Sequence, residues 1–362
     1  MEGDRPVTPR PLRLRPDNFT PPERTPWGGT RLLAIDKAGL GLSYPAGTKV
    51  GESWELSAGV ELPSRTIDGE LLADVLARDP SSMLGDEAEL GRSTSALLVK
   101  WLDAGDDLSL QLHPNDDARG LAPGEAGKVE AWYVVAHEPD ARIHLGFRTG
   151  VREHDVRLAL ERGDDLSKLM AQRPVAVGDL IVLEPGTPHA VGRGIALIEP
   201  QRVDPNKRAL TYRYWDWNRR YDANGQPSRE GAPRALHVEQ ALKHTRWDRA
   251  SDAAWLARCC GHFGTPDLKA AATTSELCGP STNTSLRSNH LRIARMSGTG
   301  TTALPPWHSL RAVTIVEGSM RIGEGETAVE APQGTTLAIP AVCGALPCDL
   351  RSAHVIVSAV AC

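Results

Sequence analysis

Two segments, Leu110-Gln111-Leu112-His113-Pro114 and Pro185-Gly186-Thr187-Pro188-His189-Ala190, each place a histidine at a proline-flanked end of an apolar run. Between them, Gly127-Lys128-Val129-Glu130-Ala131-Trp132-Tyr133 supplies a carboxylate at the head of a third run. Two imidazoles, a carboxylate and an amide oxygen form the donor inventory of a catalytic divalent metal with a position left for substrate. That set suits zinc, and manganese, iron or cobalt are compatible with it. A lone histidine at a strand end is more often a packing residue than a ligand; the three segments together point to a metal. His137 and His144 lie at or in a neighbouring strand without such turns and are read as structural.

The elements that must position these groups are strands. Apolar and polar residues alternate in Leu108-Ser109-Leu110-Gln111-Leu112-His113, which puts Ser109, Gln111 and His113 on one face. Strand rise separates Gln111 from His113 by about 7 Å at the backbone, and Pro114 ends the strand. Glu130 heads a run rich in aromatic and β-branched residues. Lys128, two positions earlier, shares its face and can serve an anionic substrate or proton transfer. His189 follows a Pro-Gly-Thr-Pro turn that leaves the apolar run 179–184 and aims the next side chain back into a barrel mouth.

At 362 residues the chain is long enough for two units, each with its own core. Its 34 Gly and 27 Pro punctuate many short apolar runs, the rhythm of an all-β sandwich or barrel. Residues 1–26, rich in Pro and Arg, predict an extended arm. Strands are expected at 31–35, 51–57, 96–103, 108–113, 129–136, 142–147, 175–177, 180–184, 195–198 and 209–217. Helices are few: 68–76, 151–162 and 236–244, with a short piece at 167–171. From about 245 Ser, Thr and Cys rise, and the runs at 307–320 and 335–340 repeat the strand rhythm without a matching His/Glu cluster. A second β-sandwich of related architecture and without metal is expected there.

All six cysteines fall in the last third with no C-x-x-C pair, which predicts reduced structural thiols. A formal charge of −5 with interspersed signs argues against a nucleic-acid surface. The start of the chain has no apolar leader and no run approaches membrane-spanning length, so a cytoplasmic protein is expected.

Taken with Trp27-Gly28-Gly29, Gly51-Glu52-Ser53-Trp54-Glu55-Leu56-Ser57 and Ala209-Leu210-Thr211-Tyr212-Arg213-Tyr214-Trp215-Asp216, the three segments resemble the type I mannose-6-phosphate isomerases, zinc-dependent enzymes of cupin fold. The likeness covers residues 25–240, and the single helical stretch at 151–171 is similar to the compact bacterial form. It implies a mainly β chain of two cupin or jelly-roll β-sandwich domains with a few short helices. Residues 1–240, arm included, would be the catalytic metal-binding domain, and 241–362 a degenerate cupin-like β domain. One zinc per chain would be held by Gln111, His113, Glu130 and His189, with Lys100, Lys128 and Arg213 lining the substrate site.

The implied reaction moves a proton between C1 and C2 of a sugar phosphate through an enediol, whose oxygen charge a Lewis acid stabilises. On that implication Arg213 stabilises developing negative charge, and Lys100 with Ser109 holds the phosphate. The family has Asp four residues before this arginine, and Ala209 stands there instead. The base is therefore open among Lys128, a metal-bound water and Asp204. The partner is a small sugar phosphate, with no nucleic acid or membrane, and the chain is expected as a monomer or small homo-oligomer. Alternatives are a related isomerase or epimerase acting on another sugar, or a sugar-binding cupin without turnover. Dioxygenase and decarboxylase cupins are more distant, because they use a His-x-His pair where this chain has Gln111-x-His113.

Overall fold

The computed structural model describes residues 9–284 and 286–362, so the first eight residues of the expected arm lie outside the described residues. The chain begins with β1 (Leu12–Arg13) and β2 (Glu52–Ser57), and passes through short helices α1 (Leu72–Arg78), α2 (Pro80–Leu84) and α3 (Asp86–Glu89). Then come β3 (Leu97–Ala104), β4 (Leu110–Leu112), β5 (Glu125–Ala126), β6 (Val129–His137) and β7 (Arg142–Phe147). After α4 (Glu153–Arg162) follow β8 (Met170–Pro174), β9 (Asp179–Leu183), β10 (His189–Val191), β11 (Ile195–Arg202), β12 (Arg208–Ala209) and β13 (Tyr212–Trp215). Helices α5 (Val238–His244) and α6 (Ala253–Arg258) lead to β14 (Cys260–His262) and β15 (Thr273–Cys278). The chain ends in β16 (Leu291–Ala303), β17 (Arg311–Ile322), β18 (Val329–Pro332), β19 (Thr336–Ile339) and β20 (Pro347–Val360).

Two sheets form the first unit. One runs β14-β9-β6-β11-β3-β2, and the other β13-β4-β10-β7-β8. Between them sits an apolar floor that includes Leu102, Trp132, Leu145, Ile181, Val191 and Leu197. The third sheet, β1-β19-β17-β20-β16-β15 with β18 beside β17, belongs to the second unit. Sheet membership crosses the expected division at 240 in both directions: β1 pairs with β19, and β14 pairs with β9. The β17 ladder shifts register around Gly318, whose φ of +71° suits glycine and where a Cβ would strike the Ser352 carbonyl.

The six-stranded sheet is buried on both faces, which explains why its strands read as near-continuous apolar runs. Trp132 and Val134 of β6 face the interior floor. Tyr133, Val135, Val99 and Trp101 face the other way, into a core shared with Ile293, Leu310, Ala312 and Ile356 of the second unit. Polar pairs lock this interface. Lys37 Nζ lies 2.7 Å from Glu55 Oε1 and donates to the Gly334 carbonyl at 3.1 Å. Thr336 donates to Glu55 Oε2 at 2.8 Å, and Tyr133 Oη meets His354 Nε2 at 3.0 Å.

Several expected elements differ. Residues 31–35, expected as a strand, form instead the start of a wide helical turn over Leu32–Asp36, because the Asp103 carboxylate accepts from Leu32 N at 3.1 Å. The run at 175–177 is no strand: the Asp179 carboxylate accepts from Ala176 N and closes a turn there. The piece at 167–171 splits into a 3₁₀ turn, Leu166–Leu169, and the start of β8. The long strand at 209–217 is divided into β12 and β13, and α2, α3 and α6 add helices beyond those expected. Cysteines 259, 260, 278, 343, 348 and 362 are all free, three of them buried. Among the described residues no helix is long and apolar enough to cross a membrane.

Candidate active site

One row of directly paired positions crosses the five-stranded sheet: Arg213 on β13 faces Gln111 on β4, which faces His189 on β10. Neighbours in such a row bring their side chains together on one face. Two pairs on neighbouring rows of the opposite sheet face them: Glu130 on β6 is opposite Gln201 on β11, and Glu199, two residues earlier on β11, is opposite Lys100 on β3. Both sets project into the same interior.

The two sheets come together at Glu130, His189 and His113, the residue just after β4; the ligand atoms of these three lie within 4.8 Å of one another. All three side chains are buried. His113 Nδ1 lies 3.1 Å from the Leu210 carbonyl and His189 Nδ1 2.8 Å from the Thr187 carbonyl. Carbonyls only accept, so each Nδ1 carries the proton and each Nε2 presents a lone pair. Those lone pairs point at Glu130: His113 Nε2 is 3.2 Å from Oε2, and His189 Nε2 is 3.2 Å from Oε1. Among the described residues neither Nε2, nor Glu130 Oε1, has a hydrogen-bond partner.

Three buried acceptors turned toward one another repel unless a cation lies between them, and carbonyl-anchored imidazoles are the usual orientation of metal-binding histidines. The donor chemistry therefore fits a divalent metal. Gln111 stands one cross-strand step away, opposite His189, with its amide oxygen accepting from Ser109 Oγ at 3.2 Å. His137 and His144 take no part: His137 is exposed, and His144 packs edge-on against Trp217.

Charged groups of both signs surround the cluster. Burial pushes the Glu130 carboxyl up, but Lys128 and His113 outweigh it and hold that group well below the ordinary carboxylate range. Burial, helped by the Lys128 charge, lowers His113 to about 3, so its imidazole stays neutral. Lys128 Nζ is 3.2 Å from Glu130 Oε2. Gln201 Nε2 bridges Glu130 Oε2 at 2.9 Å and Glu199 Oε2 at 2.7 Å, while Trp132 Nε1 donates to Glu199 Oε1 at 2.9 Å. Burial, and then the nearby Glu130 charge, push Glu199 upward. Lys100 Nζ lies 3.3 Å from Glu52 and 3.8 Å from Glu199, over the Trp54 ring.

A cleft of about 390 Å³ opens beside the cluster, lined by Lys100, Ser109, Gln111, Lys128 and Arg213 among others. Arg213 Nε donates to Ser109 Oγ at 3.1 Å and Nη1 to the Ala235 carbonyl at 3.3 Å. Burial and the neighbouring Arg234 lower its pKa to about 10. Among the described residues Arg213 has no carboxylate within ion-pair distance. Asp204 lies outside the cleft lining, with its oxygens taken by Asn206 N and by Lys207.

Sequence reasoning had not singled out Glu52, Glu199, Gln201 or Arg234. Glu199 and Gln201 had a usable signal, since both continue the inward period-2 face of Leu197 as polar residues in an apolar strand. Arg234 had none; the fold brings it to the cleft through a bidentate pairing with Asp216.

Comparison with known proteins adds to this geometry. A model of the phosphomannose isomerase type I catalytic domain matches residues 23–145. The chain is 34% identical over 237 residues to a mannose-6-phosphate isomerase of Streptococcus mutans, covering 64% of this chain and 68% of that one. The crystal structure of the mannose 6-phosphate isomerase from Bacillus subtilis superposes with a TM-score of 0.74 at 23% identity, over 96% of this chain and 99% of the other. A mannose 6-phosphate isomerase solved with zinc and yttrium superposes with a TM-score of 0.66 at 14% identity, over 98% and 100%. At those identities the structural matches speak for the fold alone, which is that of the mainly β chain expected.

Proposed function

Because this chain belongs to the type I phosphomannose isomerase family, we propose that it interconverts mannose 6-phosphate and fructose 6-phosphate through an enediol. The observation that carries the reading is the convergence of two imidazole lone pairs and a carboxylate at the wall of a cation-lined cleft. His113, Glu130 and His189, with Gln111 as fourth donor, would hold one zinc ion per chain. When bound, that metal supplies Lewis-acid polarisation of the substrate's carbonyl end.

The chain's own residues do the rest. Arg213 adjoins Gln111 in the strand row, so its guanidinium, with no carboxylate in ion-pair distance among the described residues, stabilises charge as it develops on the enediol oxygens. Lys128 lines the cleft beside Glu130 and, as its free amine, takes the proton from one carbon and returns it to the other. Lys100 and Ser109 bind substrate. Glu52 already pairs with Lys100 at 3.3 Å, which suits that lysine to sugar hydroxyls better than to a phosphate dianion. The phosphate then lies toward the exposed end, where Arg24 and Arg234 line the cleft. Residues 1–240 form the catalytic unit in this reading, 241–362 support it, and the enzyme works in the cytoplasm on a small soluble substrate.

A coupled assay tests the reading: purified protein with Zn²⁺ and mannose 6-phosphate should produce fructose 6-phosphate. Chelation should remove the activity, and added zinc should restore it. No turnover before or after metal reconstitution overturns the assignment.

A further inference from the structure

Behind the metal turn lies a second cavity of about 780 Å³, roomier than the 390 Å³ cleft of the candidate active site. It is formed between the two units. One wall is the turn Glu184-Pro185-Gly186 with the end of α5 and the residues after it, and the opposite wall is 287–290 of the second unit. The charge of its lining is positive, in a chain whose overall charge is −5. Lys243, Arg246 and Arg287 face it against one carboxylate, Glu184, which is already paired with Arg249 at 3.1 Å.

Arg246 is matched by Asp248. Lys243 and Arg287 have no hydrogen-bond or ion-pair partner among the described residues, and they come from opposite walls. The Lys243 ammonium lies over Gly120, where a Cβ would come within 2.8 Å of Nζ. His244, His290, Asn289 and Ser288 add neutral hydrogen-bonding groups to the lining.

The cavity is also wired to the metal segments. Arg246 N donates to the Gly186 carbonyl at 3.0 Å, and Gly186 N donates to the His113 carbonyl at 2.8 Å. Gly186 is fixed as glycine, with φ at +80° and a Cβ that would meet Arg246 Cγ at 2.5 Å. Any ligand that orders 243–246 therefore bears on the backbone of His113 and on the turn that carries His189.

We propose that this cavity is a second anion site, taking a small phosphate-bearing molecule that bridges Lys243 and Arg287 across the two units. The pairing of an ammonium with a guanidinium, one from each wall, is the arrangement that recognises a phosphate dianion. The site is separate from the sugar-phosphate cleft, and the proposal stands whether or not that cleft acts on mannose 6-phosphate.

Inorganic phosphate is the probe. Calorimetric titration of wild type, of Lys243→Glu/Arg287→Glu and of the control Arg162→Glu/Lys168→Glu compares equal changes of net charge at two places. Both cavity side chains are exposed, and a urea melt matching wild type checks that the variant is folded. Loss of two charge-assisted contacts should weaken one class of phosphate site by roughly ten-fold or more. The control should bind as wild type does, and the KM for mannose 6-phosphate should stay unchanged in all three. Equal phosphate binding in wild type and the cavity variant overturns the proposal. So does equal weakening in the control, or a parallel rise in KM that traces the effect to the cleft.

Discussion

The two units share an architecture of antiparallel strands around a buried interior, and they differ in what the inward positions carry. In the first unit, Lys100, Glu130, Glu199, Gln201 and His189 stand on strand faces that turn away from the second unit, above an apolar floor. In the second, the interior is Met296, Val313, Ile315, Met320, Leu350 and Val355. Arg311, fully buried there, donates to the carbonyls of Pro305, Pro340 and Gly344. His354, a buried histidine of the second unit, turns outward to Tyr133 of the first unit. Function on a shared architecture resides in the residues grafted onto it. The first unit spends stability on a desolvated charge cluster, and the second supplies an apolar face that covers the outer side of the same sheet.

The contrast breaks most sharply at His189. His189→Ala removes one donor from the buried triad, and bound metal per chain, measured by atomic emission, should fall together with kcat/KM. The loss of rate should be on the order of 10³-fold, corresponding to several kcal/mol of transition-state stabilisation. His354→Gln, the matching change in the second unit, should leave metal content and rate as they are. A His189→Ala protein with full metal and full rate would remove His189 from the donor set.

The site was legible where local pattern alone decides orientation. Strict alternation placed Ser109, Gln111 and His113 on one face; only Gln111 lies within the short β4, yet Ser109 meets Gln111 and His113 reaches Glu130 from just past its end. The head of β6 and the proline turn before His189 were readable in the same way. What could not be read is pairing between distant strands. Lys100 meets Glu52 and Glu199 only because β2, β3 and β11 lie side by side, and no local period encodes that. The Leu32–Asp36 turn was missed for a similar reason. A short apolar run is ambiguous between strand and helix, and its partner, Asp103, is 71 residues away. The small helices α2 and α3 are four or five residues long, too short to show a period.

The boundary between the units gives the next largest effect. Lys37 and Glu55 form an ion pair that is almost wholly buried, and the Gly334 carbonyl and Thr336 of the second unit complete it. Breaking one partner of such a pair strands the other charge in a low-dielectric interior. Lys37→Met should therefore destabilise the fold by about 3–5 kcal/mol in urea unfolding. Lys37→Met/Glu55→Leu should recover most of that, because it removes the stranded carboxylate as well. If the double variant is as unstable as the single one, the pair contributes through its shape and not through its charge.

The smallest effect separates the two buried histidine environments by pH. Burial, with Arg295 adding to it, lowers His354 from the ordinary 6.5 to about 3. Between those values the unfolded chain binds a proton that the folded chain does not, so the contribution is complete above pH 6.5 and is lost as pH falls toward 3. At pH 5 the loss for wild type is about 2 kcal/mol, roughly one and a half pH units below the unfolded value. His354→Gln cannot take up that proton. Moving from pH 7.5 to pH 5 should thus cost wild type about 2 kcal/mol more than the variant in paired urea melts. Equal losses would mean that the ring is protonated in the folded protein, and that Tyr133 Oη accepts from His354 where it otherwise donates.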